Sequence, residues 1–395
     1  MRIIALYLPQ FHTIPENDEW WGKNFTEWVN VKKAKPIYEG HIQPRLPLND
    51  NYYDLTDDSV KIWQAKIAKE HGIYGFCYYH YWFNGKMLLE KPMEQMLANK
   101  EIDIPFCVSW ANEPWTKAWV GDMTKVLIPQ HYGEEKEWEE HFDYLLPFFK
   151  DERYMKEDGK PVFVFYRPTA IPCLDKMMAY WTELAVQAGF PGLCFISQTD
   201  NFGEIQRRKD DPFDYHVEFQ PIYAHHLMFA DQFKTLKAIR RKVSKWVENI
   251  TGIDLKRYGQ KAISKVTNAT RVDYQKMWDI SLNQKPISSK SIAGAFVRWD
   301  NTPRHGERGW VCVPQTPADF EKNLEKQILH VNKEYSTDMM FIYAWNEWAE
   351  GGYLEPDQID GYGYLNAIKE ALIRTEEYRV RDVASMDEMR EAEWN

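Results

Sequence analysis

Eight short apolar runs constrain the fold of this 395-residue chain more than any other feature of its sequence. Each run is followed by a polar turn and a helical pattern, and several are rich in β-branched or aromatic residues. Because the runs are apolar on both alternating faces, they indicate strands of a parallel sheet that is covered by helices. The runs span residues 3–9, 73–82, 104–110, 161–167, 193–198, 215–220, 293–299 and 339–345.

Eight strand–helix units predict an α/β fold of the (β/α)8 TIM-barrel type, which takes about 250 residues and more with insertions. We place the additional length in a long loop after strand 1, residues 18–55, and in a mainly helical insertion after strand 6, residues 221–290. No low-complexity linker interrupts the chain, so we predict a single catalytic domain over residues 1–395. The alternative is a doubly wound sheet, which usually carries a Gly-rich phosphate loop after its first strand. No such loop is visible there.

The charge of the chain bears on its partners. A formal net charge of −10 argues against nucleic acid as the main partner. Residues 231–290 nevertheless hold 14 Lys and Arg against 5 Asp and Glu. A solvated helical surface explains this local basicity most simply. The more specific hypothesis is that the segment contacts an anionic substrate or a membrane surface.

The cysteines and the first residues bear on the compartment. The five cysteines are scattered, and Cys77, Cys107 and Cys194 lie within apolar runs, where cysteine behaves as a small hydrophobe. No His/Cys cluster indicates a metal site, and we expect no cofactor. The opening "MRIIALYLPQF" has the pattern of a strand rather than of a signal peptide, and no apolar run reaches membrane-spanning length. We therefore expect reduced thiols and a cytoplasmic protein without a membrane span; a removed leader would instead indicate the periplasm or secretion.

Polar and aromatic side chains cluster where the apolar runs end. In a TIM barrel the chemistry lies at the C-terminal ends of the strands, and the barrel directs all eight ends to one pocket. Carboxylates, amides and an arginine between aromatic faces suit a neutral, hydroxyl-rich ligand. A content of 15% aromatic residues fits sugar stacking, although a heavily aromatic core explains it equally well. The candidate substrate-binding residues are Tyr7, Gln10, His12, Tyr78, His80, Trp110, Asn112, Glu113, Tyr166, Arg167, Gln198, Glu218, Gln220, Arg298, Trp299 and Asn346.

Two glutamates, Glu347 and Glu350, follow the last apolar run. If the chain turns helically there, they share one face with Cβ atoms about 5–6 Å apart, whereas an extended chain would point them to opposite faces. Two carboxyl groups are the usual equipment of glycoside hydrolysis, because one protonates the leaving oxygen while the other acts on the opposite side. Their mutual repulsion would raise the pKa of one of them. A surface pair at the start of a helix is the alternative interpretation.

The segment "YAWNEWAEGGYLEPD" around these glutamates closely resembles the WbsX-like family. Members of that family are commonly described as glycosyltransferases of polysaccharide gene clusters and are related to the family 99 glycoside hydrolases. The resemblance continues through "ALYLPQFH", "NFTEWVNVKKAKP", "YGFCYYHYWFNGKMLLEKP", "WANEPWTKAW" and "RWDNTPRHGERG". Together these segments cover most of the chain except the 221–290 insertion.

This resemblance implies a metal-independent barrel that cleaves α-mannosidic bonds within chains, with retention of configuration. Glu347 would correspond to the base that deprotonates the 2-hydroxyl of the substrate, and that oxygen attacks the anomeric carbon to give a 1,2-anhydro sugar. Glu350 would correspond to the group that acts first as general acid and then as general base. A 2-hydroxyl trans to the leaving group is required, as in α-mannosides and α-rhamnosides.

We therefore predict a retaining glycoside hydrolase, family 99-like, that acts on an α-linked poly- or oligosaccharide of unspecified sugar. The alternative is a glycosyltransferase of polysaccharide (O-antigen) biosynthesis. Transferases that use nucleotide sugars usually have doubly wound folds and often hold Mg²⁺ or Mn²⁺ with a pair of aspartates, and no such element stands out here. A third possibility is a carbohydrate-binding barrel that has lost its chemistry.

Overall fold

A closed barrel of eight parallel strands forms the centre of the computed structural model, which describes residues 1–117, 122–199, 210–229 and 269–379. Each strand pairs with its neighbours, and β1 pairs with both β2 and β8, which closes the barrel. The predicted (β/α)8 fold is confirmed. The strands are β1 (Arg2–Tyr7), β2 (Ile73–Phe83), β3 (Phe106–Trp110), β4 (Lys160–Phe165), β5 (Cys194–Thr199), β6 (Tyr215–Glu218), β7 (Ser291–Phe296) and β8 (Met339–Tyr343).

Helices cover the outside of this barrel, and short caps define several of their ends. Asp57 accepts a hydrogen bond from the backbone N–H of Ser59 at the start of α3. Thr316 caps α9 in the same way through the N–H of Asp319. The helices are α1 (Pro15–Trp21), α2 (Glu27–Lys33), α3 (Asp58–Glu70), α4 (Lys91–Ala98), α5 (Glu135–Lys150), α6 (Leu174–Gln187), α7 (Tyr274–Asn283), α8 (Thr302–His305), α9 (Pro317–Glu334) and α10 (Gly363–Arg374).

Burial on both faces explains why the strands appear in the sequence as continuous apolar runs. All residues of β3, β7 and β8 are buried, because side chains fill the inside of the barrel and helices cover its outside. A strictly alternating pattern would have indicated a sheet with one face in water. The same burial hides which residues of a strand point inward, and this matters for the site below.

Only part of the two long segments predicted after strands 1 and 6 lies within the described residues. The loop after β1 contains α1 and α2. Of the predicted insertion 221–290, residues 230–268 lie outside the described residues. The last part of the predicted insertion contains α7, which packs against the barrel. The ring of Trp278 on α7 stacks on Phe296 of β7 with centroids 4.9 Å apart. The strand Thr270–Asp273 pairs in parallel with Trp310–Val313.

The structure also shows the state of the cysteines and the character of the helices. All five cysteines are unpaired, and four of them are buried. Across the parts of the chain that the structure describes, no helix combines the length and the apolar character needed to cross a bilayer.

Candidate active site

A cavity of about 330 Å³ opens at the C-terminal ends of the strands, and four aromatic rings lie at its base. They come from the ends of the even-numbered strands: Tyr79, Tyr166, Phe219 and Tyr343. Successive ring centroids are 6.0, 6.4 and 5.5 Å apart. TIM barrels are filled by layers of four side chains contributed by alternate strands. These four rings form such a layer, and their upper faces line the cavity.

Glu347 and Glu350 both line this cavity. Glu347 ends the two-residue strand Asn346–Glu347, which pairs antiparallel with Gly352–Tyr353, and Glu350 ends the 3₁₀ turn between these strands. Gly351 closes the turn with φ of 65°, and a Cβ there would lie 2.8 Å from the backbone nitrogen of Asp300. Only glycine fits that position without displacing the backbone. We call residues 346–353 the catalytic turn, after the role predicted for its two glutamates, and its tight helical form brings both carboxyl groups to one side.

A single guanidinium connects the two carboxyl groups. Arg304 of α8 donates from Nη2 to Glu347 Oε2 at 2.9 Å and from Nη1 to Glu350 Oε1. Its Nε donates to Glu27 of α2 at 3.0 Å. The hydroxyl of Tyr343 donates to the other oxygen of Glu350. One cation therefore serves three carboxyl groups, two from the catalytic turn and one from α2.

The charge balance of this cluster favours one retained proton near neutral pH. Burial raises the pKa of Glu347 to about 8; Arg304 opposes the rise, and Glu350 and Glu27 add to it. Burial also raises the pKa of Glu27, again against Arg304. Because three carboxyl groups share one positive charge, full ionisation would leave unpaired negative charge out of water. The cluster can thus present a proton donor and a proton acceptor side by side.

The catalytic turn is tied to the long loop after β1 through Asp300. The backbone N–H of Asp300 donates to the carbonyl of Glu350 at 2.7 Å. The carboxylate of Asp300 accepts hydrogen bonds from His41 Nε2 at 2.8 Å and Gln43 Nε2 at 2.6 Å. These hydrogen bonds hold the catalytic turn in position. Among the described residues, no group of three or more His, Cys, Asp or Glu side chains is arranged to hold a metal ion.

Three of the predicted substrate-binding residues line the cavity together with the two glutamates. They are Glu113, Tyr166 and Trp299. Glu113 is held at the rim by Arg167, whose Nη1 lies 2.5 Å from its Oε1, and Arg167 itself is not among the lining residues. The indole of Trp299 stacks on Trp310 at 4.9 Å and 25°. This stacking fixes the orientation of the Trp299 ring, which forms part of the cavity wall.

Strand alternation places three other candidates on the opposite face of the barrel wall. Tyr7 donates to Gln64 of α3 at 2.7 Å, and His80 contacts His141 of α5, so both side chains point to the helices. Tyr78 packs against Tyr7 with ring centroids 4.3 Å apart. Successive residues of a strand point to opposite faces. The adjacent tyrosines of β2, Tyr79 and Tyr81, line the cavity instead.

The remaining candidates are buried side chains that are not among the lining residues, and several of them bind the chain itself. Asn346 accepts from the N–H of Leu8 at 2.7 Å and donates to its carbonyl at 3.0 Å, which fastens the catalytic turn to the end of β1. Asn112 binds the backbone of Arg167 in the same two-bond manner. This group comprises Gln10, His12, Trp110, Asn112, Gln198, Glu218, Gln220, Arg298 and Asn346.

The buried pair of His80 and His141 is expected to make the fold sensitive to acid. The two Nε2 atoms lie 2.8 Å apart, so one ring donates and the other must be neutral to accept. Burial lowers the pKa of His80 to about 3 and that of His141 well below 6.5. Between about pH 6.5 and pH 3 the unfolded chain therefore binds protons that the folded chain does not. Stability is complete above pH 6.5 and is lost as the pH falls through this window.

Urea denaturation at pH 7 and pH 5 measures this effect. We expect a loss of about 2 kcal/mol in the free energy of unfolding for each histidine. His80→Gln should reduce the difference between the two pH values, whatever its own stability. An equal pH dependence in His80→Gln and the unmodified protein would contradict the prediction.

Sequence reasoning missed the residues that organise the cavity. Arg304, Tyr79, Tyr81 and Tyr343 line it, and the fully buried Glu27 completes the ion cluster. Arg304 lies in "RWDNTPRHGERG" and Glu27 in "NFTEWVNVKKAKP", both of which carry the family resemblance. A usable signal was present, because two buried carboxyl groups require a nearby cation.

Comparison with known proteins places the chain in a family. The family model described as Glycosyltransferase WbsX matches residues 3–368. The protein WxcX from two strains of Xanthomonas campestris pv. campestris, described as uncharacterized, is 34% identical over 375 residues. The alignment covers 94% of this chain and 50% of WxcX, so the chain spans about half the length of the curated relatives it matches.

Solved structures share the fold at low sequence identity. A family 99 endo-α-mannosidase from Bacteroides thetaiotaomicron, in complex with bis-tris-propane, has a TM-score of 0.56 and 13% identity, covering 95% of this chain and 98% of that chain. A glycoside hydrolase-like protein has a TM-score of 0.54 and 11% identity, with coverage of 94% and 93%. Because the family model covers nearly the whole chain, the protein belongs to the family described as Glycosyltransferase WbsX, and its barrel has the fold of the family 99 glycoside hydrolases.

Proposed function

We propose that this protein is a retaining glycoside hydrolase that cleaves an α-linked poly- or oligosaccharide of the α-mannoside or α-rhamnoside type. The observation that carries the proposal is that Glu347 and Glu350 face one cavity and share the guanidinium of Arg304. Glycoside hydrolysis needs two carboxyl groups in different protonation states. A buried cluster with three carboxyl groups and one cation favours that difference.

In the proposed first step, Glu347 takes the proton of the 2-hydroxyl of the substrate. The freed oxygen attacks the anomeric carbon, and the bond from that carbon to the leaving oxygen breaks as Glu350 protonates it. In the second step, Glu350 takes a proton from water, the water oxygen attacks the anomeric carbon and opens the 1,2-anhydro ring, and Glu347 returns its proton to the 2-oxygen. Two inversions at the anomeric carbon give net retention.

The reactive form of the pair has its proton on Glu350 and has Glu347 ionised. The raised pKa of Glu347 limits how often this form occurs at neutral pH. Arg304 favours ionised Glu347, since its charge lowers the pKa of that group.

One guanidinium bonds to both carboxyl groups and keeps them close together in the cavity, so that both can act on one glycosidic bond. Phe219, Trp299 and Tyr79 line the same cavity and supply flat aromatic faces for a sugar ring.

The description of the family favours a second function, which is glycosyl transfer from a nucleotide sugar. In that case a hydroxyl of the growing glycan replaces water as the acceptor. A diphosphate would need cationic partners, and the basic segment 231–290 is a candidate for them. Residues 231–268 of that segment lie outside the described residues.

Incubation without any nucleotide sugar separates the two functions. We expect purified protein to release product from at least one member of a panel of α-linked mannans, rhamnose-containing glycans and bacterial O-polysaccharides, measured by chromatography of reducing ends. Glu350→Gln should lower the release by about 10²- to 10⁴-fold, because the leaving oxygen loses its proton donor. Glu183→Gln makes the same chemical change at an exposed position of α6 and should have no effect.

Two outcomes would contradict the proposal. Activity that requires a nucleotide-sugar donor would establish transfer instead of hydrolysis. NMR of the first product formed should show the α-anomer; an initial β-anomer would exclude retention.

A further inference from the structure

A second cavity, of about 500 Å³, lies on the other side of the catalytic turn. Trp348 forms part of its wall, while the preceding residue, Glu347, faces the first cavity. The other walls come from residues 47–53 of the loop after β1, from α3 and from the loop after β8. Its volume is in the range of about 300–1,000 Å³ that is typical of ligand sites. The reaction proposed above uses none of this space.

Besides the buried Tyr53 and Trp348, three partly exposed aromatic side chains from three separate segments line the second cavity. Tyr52 lies in the loop after β1, Trp63 on α3 and Tyr362 just before α10. Tyr362 is 36% exposed, and Tyr52 and Trp63 are partly exposed. Aromatic rings of this kind bury a large area at a small cost in conformational freedom, and their polar tips remain in water. Such faces suit the apolar side of a pyranose ring.

The rim of this cavity carries side chains that match sugar hydroxyls. Asn49, Asp50 and Asn51 are exposed there and offer amide donors and amide or carboxylate acceptors. Asp50 Oδ1 accepts a hydrogen bond from Gln358 Nε2 at 3.0 Å, which holds the loop in place. Among the described residues, the lining contains acidic side chains and no Lys or Arg, and the nearby Lys32 Nζ lies over the Tyr52 ring, 3.7 Å from its centroid, as a cation–π contact. This lining favours an uncharged ligand over a phosphorylated one.

The back wall is fixed before any ligand binds. The buried carboxyl group of Glu355 accepts hydrogen bonds from Trp348 Nε1 and from Tyr53 Oη, both at 2.7 Å, and from Gln64 Nε2 at 2.6 Å. The indole of Trp348 also stacks on Tyr353 at 3.8 Å. A wall held by this many contacts loses little freedom on binding, which favours affinity.

We propose that the second cavity binds a further segment of the same glycan, away from the position of bond cleavage. The choice of a glycan as ligand rests on the proposed function. The combination of several aromatic faces with a neutral-to-acidic polar rim fits a hydroxyl-rich, uncharged chain. A polymer held at two points has a raised local concentration at the first cavity, so the second cavity lowers the KM for long substrates.

Binding can be measured without turnover in the Glu350→Gln protein by affinity electrophoresis in gels that contain each polysaccharide of the panel. We expect Tyr362→Ala and Trp63→Ala each to weaken the retardation by about three- to tenfold, through loss of one stacking face. Tyr362→Phe keeps the ring and should keep most of the binding. Tyr180→Ala, on α6, is the matched control and should leave retardation unchanged.

Kinetics in the unmodified background give a second readout. Tyr362→Ala should raise the KM for the polysaccharide by the same factor. It should leave kcat/KM unchanged for a short activated substrate that spans only the scissile bond. An equal loss on both substrates would mean a disturbed catalytic turn and would overturn the second site.

The remaining outcomes separate the two proposals. Hydrolysis with a polymer KM that depends on neither Trp63 nor Tyr362 overturns the second site and leaves the hydrolase intact. Retardation that depends on Tyr362, in a protein that hydrolyses nothing, keeps the site and removes the hydrolase. Absence of retardation by every polysaccharide overturns the second site.

Discussion

Glu347→Gln is expected to lower kcat on the α-linked substrate by about 10²- to 10⁴-fold, because an amide cannot take the proton of the 2-hydroxyl. The shape of the side chain is kept, and Arg304 Nη2 can still donate to the amide oxygen in place of the carboxylate oxygen at 2.9 Å. Ligand binding should therefore survive. Steady-state kinetics and the same affinity electrophoresis measure the two effects on one protein preparation.

The leaving group separates the role of Glu347 from that of Glu350. An aryl glycoside with a strongly acidic phenol needs no proton donor when the first bond breaks. Glu350→Gln should therefore recover much of its loss in kcat/KM on such a substrate. Glu347→Gln should remain as impaired as on the natural linkage, since attack by the 2-oxygen is still required.

Each outcome assigns a role. Full activity of Glu347→Gln would remove this residue as the base, and recovery by Glu347→Gln rather than Glu350→Gln would exchange the two roles. The remote Glu183→Gln should behave as the unmodified protein on both substrates.

The barrel could be predicted from the sequence because its signal is local and repeated. Each strand is a short apolar run, and eight of them with intervening helical patterns admit few architectures. The position of Glu347 and Glu350 beyond the last strand followed from the same pattern. Each of these inferences needed only neighbouring residues.

The inward face of each strand could not be predicted, because burial on both sides removes the alternation that would show it. In "YYHYW" of β2, Tyr78 and His80 are as aromatic and polar as Tyr79 and Tyr81, yet only the second pair lines the cavity. A shift of one residue changes the face of every side chain in a strand. The choice between the two sets depends on the closure of the whole barrel.

Arg304 could not be singled out from the other cations of the sequence, because its partners are distant in the chain. It is separated from Glu347 by 43 positions and from Glu27 by 277 positions. The sequence showed two acidic groups and left their counter-charge unspecified. In the structure one arginine is placed between them, and this placement makes the charge of Arg304 the strongest test of the cluster.

Arg304→Met is expected to move the rising limb of the pH profile of kcat/KM to higher pH by about one to three pH units. Arg304 lowers the pKa of Glu347 by its charge, so removal of that charge raises the pKa of Glu347 further above its usual value. The ionised base then appears only at higher pH. Because each unit lowers the ionised fraction tenfold, activity at pH 7 should fall by about 10- to 1,000-fold.

A charge-preserving variant distinguishes this effect from a general loss of structure. Arg304→Lys keeps the positive charge but cannot donate to three carboxyl groups at once, so its rising limb should lie between those of Arg304→Met and the unmodified protein. Arg374→Met, at an exposed position of α10, is the control and should not move the limb. Thermal denaturation checks that each variant is folded. A rising limb that stays in place in folded Arg304→Met, or that moves to lower pH, would show that Arg304 does not set the protonation of Glu347.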